Sequence, residues 1–478
     1  MTLTALERDV LEALWTQYRD GDDVFVIAHP KRSHAMTEMQ SYAARSFLFA
    51  YADTLDPQQL SRARQLLSAT KKAVAQEGPA WIKGTALDQV RSRERVDAFP
   101  NTFAMVAEDA IRFALLANEP AWLRYADQLL SVLPHYYDPK TNRVAGGSVA
   151  GAPPVFDDVI STHLAAIPLL MRAHASKGPK GAGASLALAE QFLAPRLSPA
   201  DPLRFPAGAG IAWHQKRAAD GSVSQKVHWH HVAYVSRALQ VHHKRTASAA
   251  SRDLFLRSLE GLLSARSSDG WFPRAQLEGA RARFARLLRA DKDVATTAQA
   301  ISLLKDAHTL TREQRYHDLA ASSLAALAAS AKPATSPAAD GRPVSLRLPA
   351  EPSPPKDSDA YANCWDLCFF SWAARELRCP FPYATIPLAP RGELSLWTNE
   401  GDLLALSFTR RGSSVSAALT NNSRIPRTLV LRALAPADAR HAAIASKAAF
   451  THTLAAGRAD IQADYAPGET KRFEMTFQ

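Results

Sequence analysis

Cysteine is scarce in this chain. Its 478 residues hold three, Cys364, Cys368 and Cys379. An odd count, with two of them one helical turn apart, excludes a disulfide framework. Cys364 and Cys368 are expected to pack as small apolar residues. No apolar run reaches membrane-spanning length, so no membrane partner is expected. The N-terminal stretch Met1–Asp9 has neither a basic n-region nor an apolar h-region. That leaves two readings open, a cytoplasmic protein or one whose leader has been removed. There is no long Lys/Arg tract and no nucleic-acid signature, so nucleic acid is not the expected partner. No His-Glu-x-x-His occurs. With no further ligand evident near the cysteines, neither a metal nor another cofactor is expected.

What is present is ordinary in bulk and uneven in detail. Hydrophobic residues make up 47% and charged residues 22%, a balance typical of soluble globular chains. The length exceeds one ordinary core, so one large domain and one smaller are expected. The formal net charge of +11 is spread as single Lys and Arg residues. It favours a polyanionic partner, and an acidic polysaccharide fits better than nucleic acid.

Residues 1–378 read as helices, with apolar residues at helical spacing and abundant Ala and Leu. Helical patterns cover 4–19, 36–55, 57–76, 101–118, 119–134, 154–175, 184–194, 225–245, 249–265, 293–309, 313–330 and 358–378. They fall into pairs whose first members begin roughly 55–70 residues apart, longer than the roughly 33–47 residues usual in open solenoids. Helical hairpins must stack to bury their apolar faces. The expectation is a mainly α fold, an α/α toroid of about six hairpins over 1–378, followed by a small antiparallel β-sandwich over 379–478. The second part rests on short β-prone runs such as Leu403–Phe408, Ser414–Leu419 and Thr428–Leu431 between Gly, Asn and Pro punctuation.

Polar residues concentrate where the first helix of each pair begins. They include Arg32, His34 and Glu38, then Arg91, Arg93, Arg95, Asp97 and Asn101, then Asp157 and Asp158, then Asp359, Tyr361 and Trp365. The densest group is His228-Trp229-His230-His231 with Tyr234. In a toroid these helix starts share one mouth, and helix N-termini favour anionic ligands. Imidazole suits proton transfer near neutral pH, and indole faces suit sugar stacking. Three chemistries compete: metal binding, glycoside hydrolysis by two carboxylates, and β-elimination on a uronate polymer. Elimination needs a base, an acid and neutralisation of the carboxylate, and the His/Tyr cluster with nearby arginines meets that demand best. His231, Tyr234, His230 and Asn101 are the expected catalytic residues. His228, Trp229, Arg95, Arg93, Arg32 and Trp365 are the expected substrate contacts.

The run from Asp220-Gly221-Ser222 to His230-His231 resembles the Asp-Gly-Ser…Tyr-His segment of heparinase II/III-like and related alginate lyases. There His231 matches the family's His and His230 its Tyr. It is also similar to the Asp-Gly-Ser-Phe…His…Tyr segment of chondroitin and hyaluronate lyases, where Tyr234 falls on the Tyr and Gln225 replaces the His. The two alignments exclude each other and cover some fifteen residues. The resemblance implies an α/α toroid with β domains and a polysaccharide lyase acting on an anionic glycan. A hydrolase or epimerase on the same scaffold, and a non-catalytic glycan-binding toroid, are the alternatives.

Overall fold

A computed structural model describes residues 3–17, 37–76, 100–138, 157–175, 179–217, 221–277 (less 225), 292–330, 364–398 and 401–478 (less 437 and 456). It also describes the short stretches 19–20, 23–29, 32–35, 97–98, 140, 143–144, 148–149, 332–333 and 346–347. Twelve α-helices lie among the described residues: α1 (Leu3–Gln17), α2 (Thr37–Thr54), α3 (Pro57–Gln76), α4 (Pro100–Ala117), α5 (Ala121–Leu130), α6 (Val159–Ala175), α7 (Pro179–Leu197), α8 (Trp229–Thr246), α9 (Ala249–Leu263), α10 (Val294–Thr311), α11 (Gln314–Ser330) and α12 (Cys364–Glu376). None is long and apolar enough to cross a membrane.

The even-numbered helices form an inner ring. α2 packs on α4, α4 on α6, α6 on α8, α8 on α10, α10 on α12, and α12 returns to α2. Each odd-numbered helix from α3 to α11 backs the inner helix before it, and α1 backs α12. The chain's first helix thus completes the sixth pair, and the fold is an α/α toroid. The burial patterns explain the two roles. Every residue of α8 from Trp229 to Lys244 and every residue of α10 from Val294 to Thr309 is buried, as an enclosed helix requires. α9 buries one stripe, including Leu254, Phe255, Leu259 and Leu262.

Several hairpins turn alike. Leu55, Asn118, Ala247 and Arg312 each follow an inner helix with φ between 53° and 66°, the left-handed residue that ends a helix sharply. The outer or inner helix that follows is then capped where the sequence allows. Ser248 accepts from Ser251 N at 3.2 Å and Asp293 from Thr296 N at 2.7 Å.

The segments leading into the inner helices are laced by short antiparallel ladders. Asp97–Ala98 pairs with Ser148–Val149, Asp157–Asp158 with Lys216–Arg217, and Lys226–His228 with Ala275–Leu277. This differs from the helical reading of 225–245. His228 is extended (φ −101°, ψ 106°) and α8 starts at Trp229, because the ladder to Ala275–Leu277 claims the preceding residues.

The C-terminal part is β1 (Tyr383–Ile386), β2 (Arg391–Trp397), β3 (Leu403–Arg411), β4 (Ser414–Asn421), β5 (Arg427–Leu434), β6 (Ala442–Ala445), β7 (Thr451–Ala455), β8 (Arg458–Tyr465) and β9 (Thr470–Phe477). They form a sheet of order β1-β5-β8-β7 and one of order β2-β3-β4-β9-β6. All pairs are antiparallel except β1 with β5. Alternating residues such as Leu404, Leu406 and Phe408 share a core with Leu429, Leu431 and Ile461, the period-2 signature of facing sheets.

The sheets sit against the C-terminal ends of the inner helices. Arg112 of α4 donates to Trp397 O. Lys244 of α8 bridges Asp306 of α10 and Asp402, each at 2.8 Å, and Arg427 of β5 pairs with the same two carboxylates at 2.8 Å. Arg375 of α12 grips Asp53 of α2 at 2.9 and 2.8 Å, and Thr385 of β1 joins them at 3.4 Å. One end of the toroid is therefore plugged, and the N-terminal ends of the inner helices form the other mouth.

Candidate active site

Following α8 from its start leads from that mouth to the plug at about 1.5 Å per residue. His230 and His231 occupy its first turn, Tyr234 the second, Arg237 the next and Lys244 the last. The three imidazoles at the top form one group. The rings of His228 and His231 stack at 4.8 Å and 22°. His230 stands edge-on to His231 at 4.1 Å and 73°, and 5.2 Å from His228. A nitrogen of each lies within 4.8 Å of the others. His230 and His231 are buried and His228 is half-buried. The ladder to Ala275–Leu277 and the bond from Trp229 N to Arg274 O at 2.9 Å fix the backbone that carries them.

Burial holds His230 well below the usual imidazole range. The charge of Arg274 and the presence of His228 add to that, while a backbone hydrogen bond with Arg274 works the other way. The ring is therefore neutral near pH 7. Its Nδ1 makes no hydrogen bond.

One turn below, Tyr234 Oη and Tyr42 Oη of α2 share a hydrogen bond of 2.6 Å across the axis. Below them lies a buried charge cluster. Glu108 of α4 receives Arg237 at 2.6 Å, Arg112 at 2.7 Å and Arg45 at 3.1 Å. Asp109 receives Arg45 at 2.6 Å and the Ser41 hydroxyl at 2.5 Å. Burial alone would raise the Glu108 carboxyl, but Arg237, Arg45 and Arg112 outweigh it and hold it ionised. Burial, with Arg45 adjacent, pulls Arg112 down to about 10. One small cavity between α8, α10 and α12, lined by Tyr234, Arg237, Gln240, Gln299 and Trp372, holds about 10 Å³. That is room for about one water molecule and far too little for a sugar ring.

The expected site residues divide accordingly. His228, His230 and His231 come together at the start of α8, and Tyr234 lies one turn below them, bonded to Tyr42. Trp229 does not join them: its indole is 3% exposed and packed in the core, because at the first helical position it points toward neighbouring apolar side chains. Asn101 sits in the first turn of α4 and Arg32 in a strand before α2, and Trp365 lies in the first turn of α12. The side chains of all three lie outside the described residues. Arg91, Arg93 and Arg95 lie outside them altogether. Trp372, seven residues on from Trp365, is core and donates to Ser46 Oγ at 2.9 Å. Cys368 is a buried free thiol.

Sequence reasoning missed Tyr42 and the charges on α2 and α4. A signal existed. Glu108, Asp109 and Arg112 interrupt an otherwise apolar helix at spacings of three and four, which places them on one face.

No protein-family model matches the chain, and no curated protein matches it in sequence. Solved structures do match in fold. An inactive variant of an α-1,6-mannanase from Salegentibacter sp. HEL1_6, in complex with α-1,6-mannotriose, aligns with 79% of this chain and 99% of its own at TM-score 0.55 and 11% identity. A D-mannose isomerase aligns over 79% and 97% at 0.56 and 12%. Cellobiose 2-epimerase from Bacillus thermoamylovorans B4167 aligns over 78% and 98% at 0.55 and 11%. These are a hydrolase, an isomerase and an epimerase by name, and none is named as a lyase. At such identities the likeness establishes the toroid fold.

Proposed function

We propose that this protein is a carbohydrate-active enzyme that transfers a proton at the carbon beside a sugar carbonyl, an epimerase- or isomerase-type reaction. The observation that carries this reading is the three-imidazole group at the end of the toroid away from the sheets, with the Tyr42–Tyr234 hydroxyl pair one turn beneath it. Such a reaction needs a base for the carbon-bound proton and a donor for the carbonyl oxygen as it becomes an enediol. His230 or His231 takes the proton. The Tyr234 hydroxyl, held by Tyr42, supports the oxygen. The proton then returns to the opposite face, giving an epimer, or to the neighbouring carbon, giving an isomer, and no other atom is gained or lost.

β-Elimination on a uronate begins with the same abstraction, which is why the sequence pointed there. It also requires cationic groups on the carboxylate. The names of the fold's neighbours favour the hydrolase or epimerase alternative over the lyase. Hydrolysis needs two carboxylates flanking the bond; Glu108 and Asp109 are both held by arginines, and Asp157 with Asp158, in the ladder that leads into α6, is the pair that a hydrolase would use. The net charge of +11 favours an acidic sugar.

The test is a panel of free aldoses, reducing disaccharides, uronic acids and acidic polysaccharides. Three readouts are followed together: epimer or ketose by chromatography, new reducing ends, and ultraviolet absorbance of unsaturated product. Epimer or ketose alone supports the proposal. Unsaturated product restores the lyase, and new reducing ends without it mark a hydrolase.

A further inference from the structure

The geometry points to a divalent transition-metal site formed by His228, His230 and His231. It rests on the arrangement of the three rings and does not depend on the reaction proposed above. The ligating nitrogens lie within 4.8 Å of one another. Imidazole binds zinc at about 2.0–2.1 Å, so nitrogens around a tetrahedral ion stand roughly 3.3 Å apart. Small χ rotations close the difference, and the rings are already in van der Waals contact. Spacing along a helix alone would bring only two of the three together. His228 completes the set because the ladder with Ala275–Leu277 keeps it extended before α8 begins. The Nδ1 of buried His230 makes no hydrogen bond, so that nitrogen is open to a ligand.

Three imidazole nitrogens and an open fourth position suit an ion such as Zn²⁺, Co²⁺, Ni²⁺ or Cu²⁺. Mg²⁺ and Ca²⁺ prefer oxygen ligands and would not be held. Arg274 and Lys226 both face the cluster electrostatically, which disfavours added positive charge and selects ions whose bonds to nitrogen are strong. A bound ion takes the lone pairs that proton transfer at these rings uses. The loaded protein is therefore expected to be the catalytically silent form of the enzyme proposed above.

The experiment is a Co²⁺ titration of the full, tag-free chain after chelator treatment, read by metal analysis after dialysis and by visible absorption. One Co²⁺ per chain, with the intense bands of four-coordinate cobalt and displacement by Zn²⁺ but not Mg²⁺, is the expected result. His228→Ala and His231→Ala should each weaken binding by about tenfold or more, and His242→Gln, which changes a buried histidine elsewhere on α8, should not. Circular dichroism checks that each variant is folded, and His228→Ala, at a half-buried position ahead of the helix, keeps the test alive if His231→Ala unfolds. Failure to retain cobalt, or unchanged retention in both folded variants, overturns the inference. The chelated protein is assayed on the sugar panel in parallel. Turnover without metal binding sinks the metal site alone, and metal binding without turnover sinks the proposed reaction alone.

Discussion

Tyr42 and Tyr234 mark where the site ends and the scaffold begins. Each hydroxyl partners the other, so Tyr42→Phe and Tyr234→Phe should cost a similar stability, about 1 kcal/mol each. Their catalytic effects should differ. Tyr234→Phe removes the proton donor and should lower turnover by about 10²-fold, while Tyr42→Phe, acting through Tyr234, should lower it less and shift the pH profile. Equal losses in turnover would contradict these roles. One layer down, Glu108 is a structural charge. Glu108→Gln leaves three guanidinium groups facing Asp109 alone, and urea unfolding should show a loss of about 3 kcal/mol. A loss under 1 kcal/mol would mean that the cluster is hydrated. The buried histidines give the pH dependence. Burial, with His243 beside it, holds His242 down at about 4, and burial with Arg245 and Arg424 does the same to His174. The unfolded chain takes up these protons near pH 6.5. Their contribution to stability is therefore complete above about pH 6.5 and lost as pH falls toward 4. Melting temperature should drop through that window, and less steeply in His242→Gln. Parallel slopes would remove His242 from the account.

At the scale of elements, the turns after the inner helices carry a cost that can be measured. Ala247 follows α8 at φ 60°, where a Cβ costs roughly 1 kcal/mol and glycine does not. Ala247→Gly should raise stability by up to about 1 kcal/mol, against glycine's usual direction, and a destabilised variant would contradict the cap. The same elements show how much the sequence carries. α2, α3, α9, α10 and α11 were legible to within two residues at either end because their apolar periodicity is long and their caps are local. The short ladders around the mouth were not legible, since two or three paired residues show no periodicity and their partners are distant in the chain. That is why Lys226–His228 read as helix. The His group was visible because it is contiguous. Tyr42 and Glu108 were not, because α2 and α4 reach the axis only once the ring has closed.

On the scale of the whole molecule, the charge cluster of Lys244, Asp306, Asp402 and Arg427 joins the toroid to the sheets with fully buried side chains. The net charge of +11, spread as single residues along the chain, is consistent with an acidic substrate drawn in by long-range attraction. The sheets at one end and the imidazole group at the other together make the central claim, that sugar chemistry is carried out by His230 and His231 at the end away from the sheets. Solvent deuterium wash-in tests it most directly. The chelator-treated protein is incubated in D₂O with the sugar it converts, and the hydrogen on the carbon beside the carbonyl is followed by NMR. The account predicts exchange at that carbon in the wild type and its loss, by about 10² or more, in folded His231→Ala and His230→Ala variants. Exchange that persists in both variants, or conversion without any exchange, would contradict it.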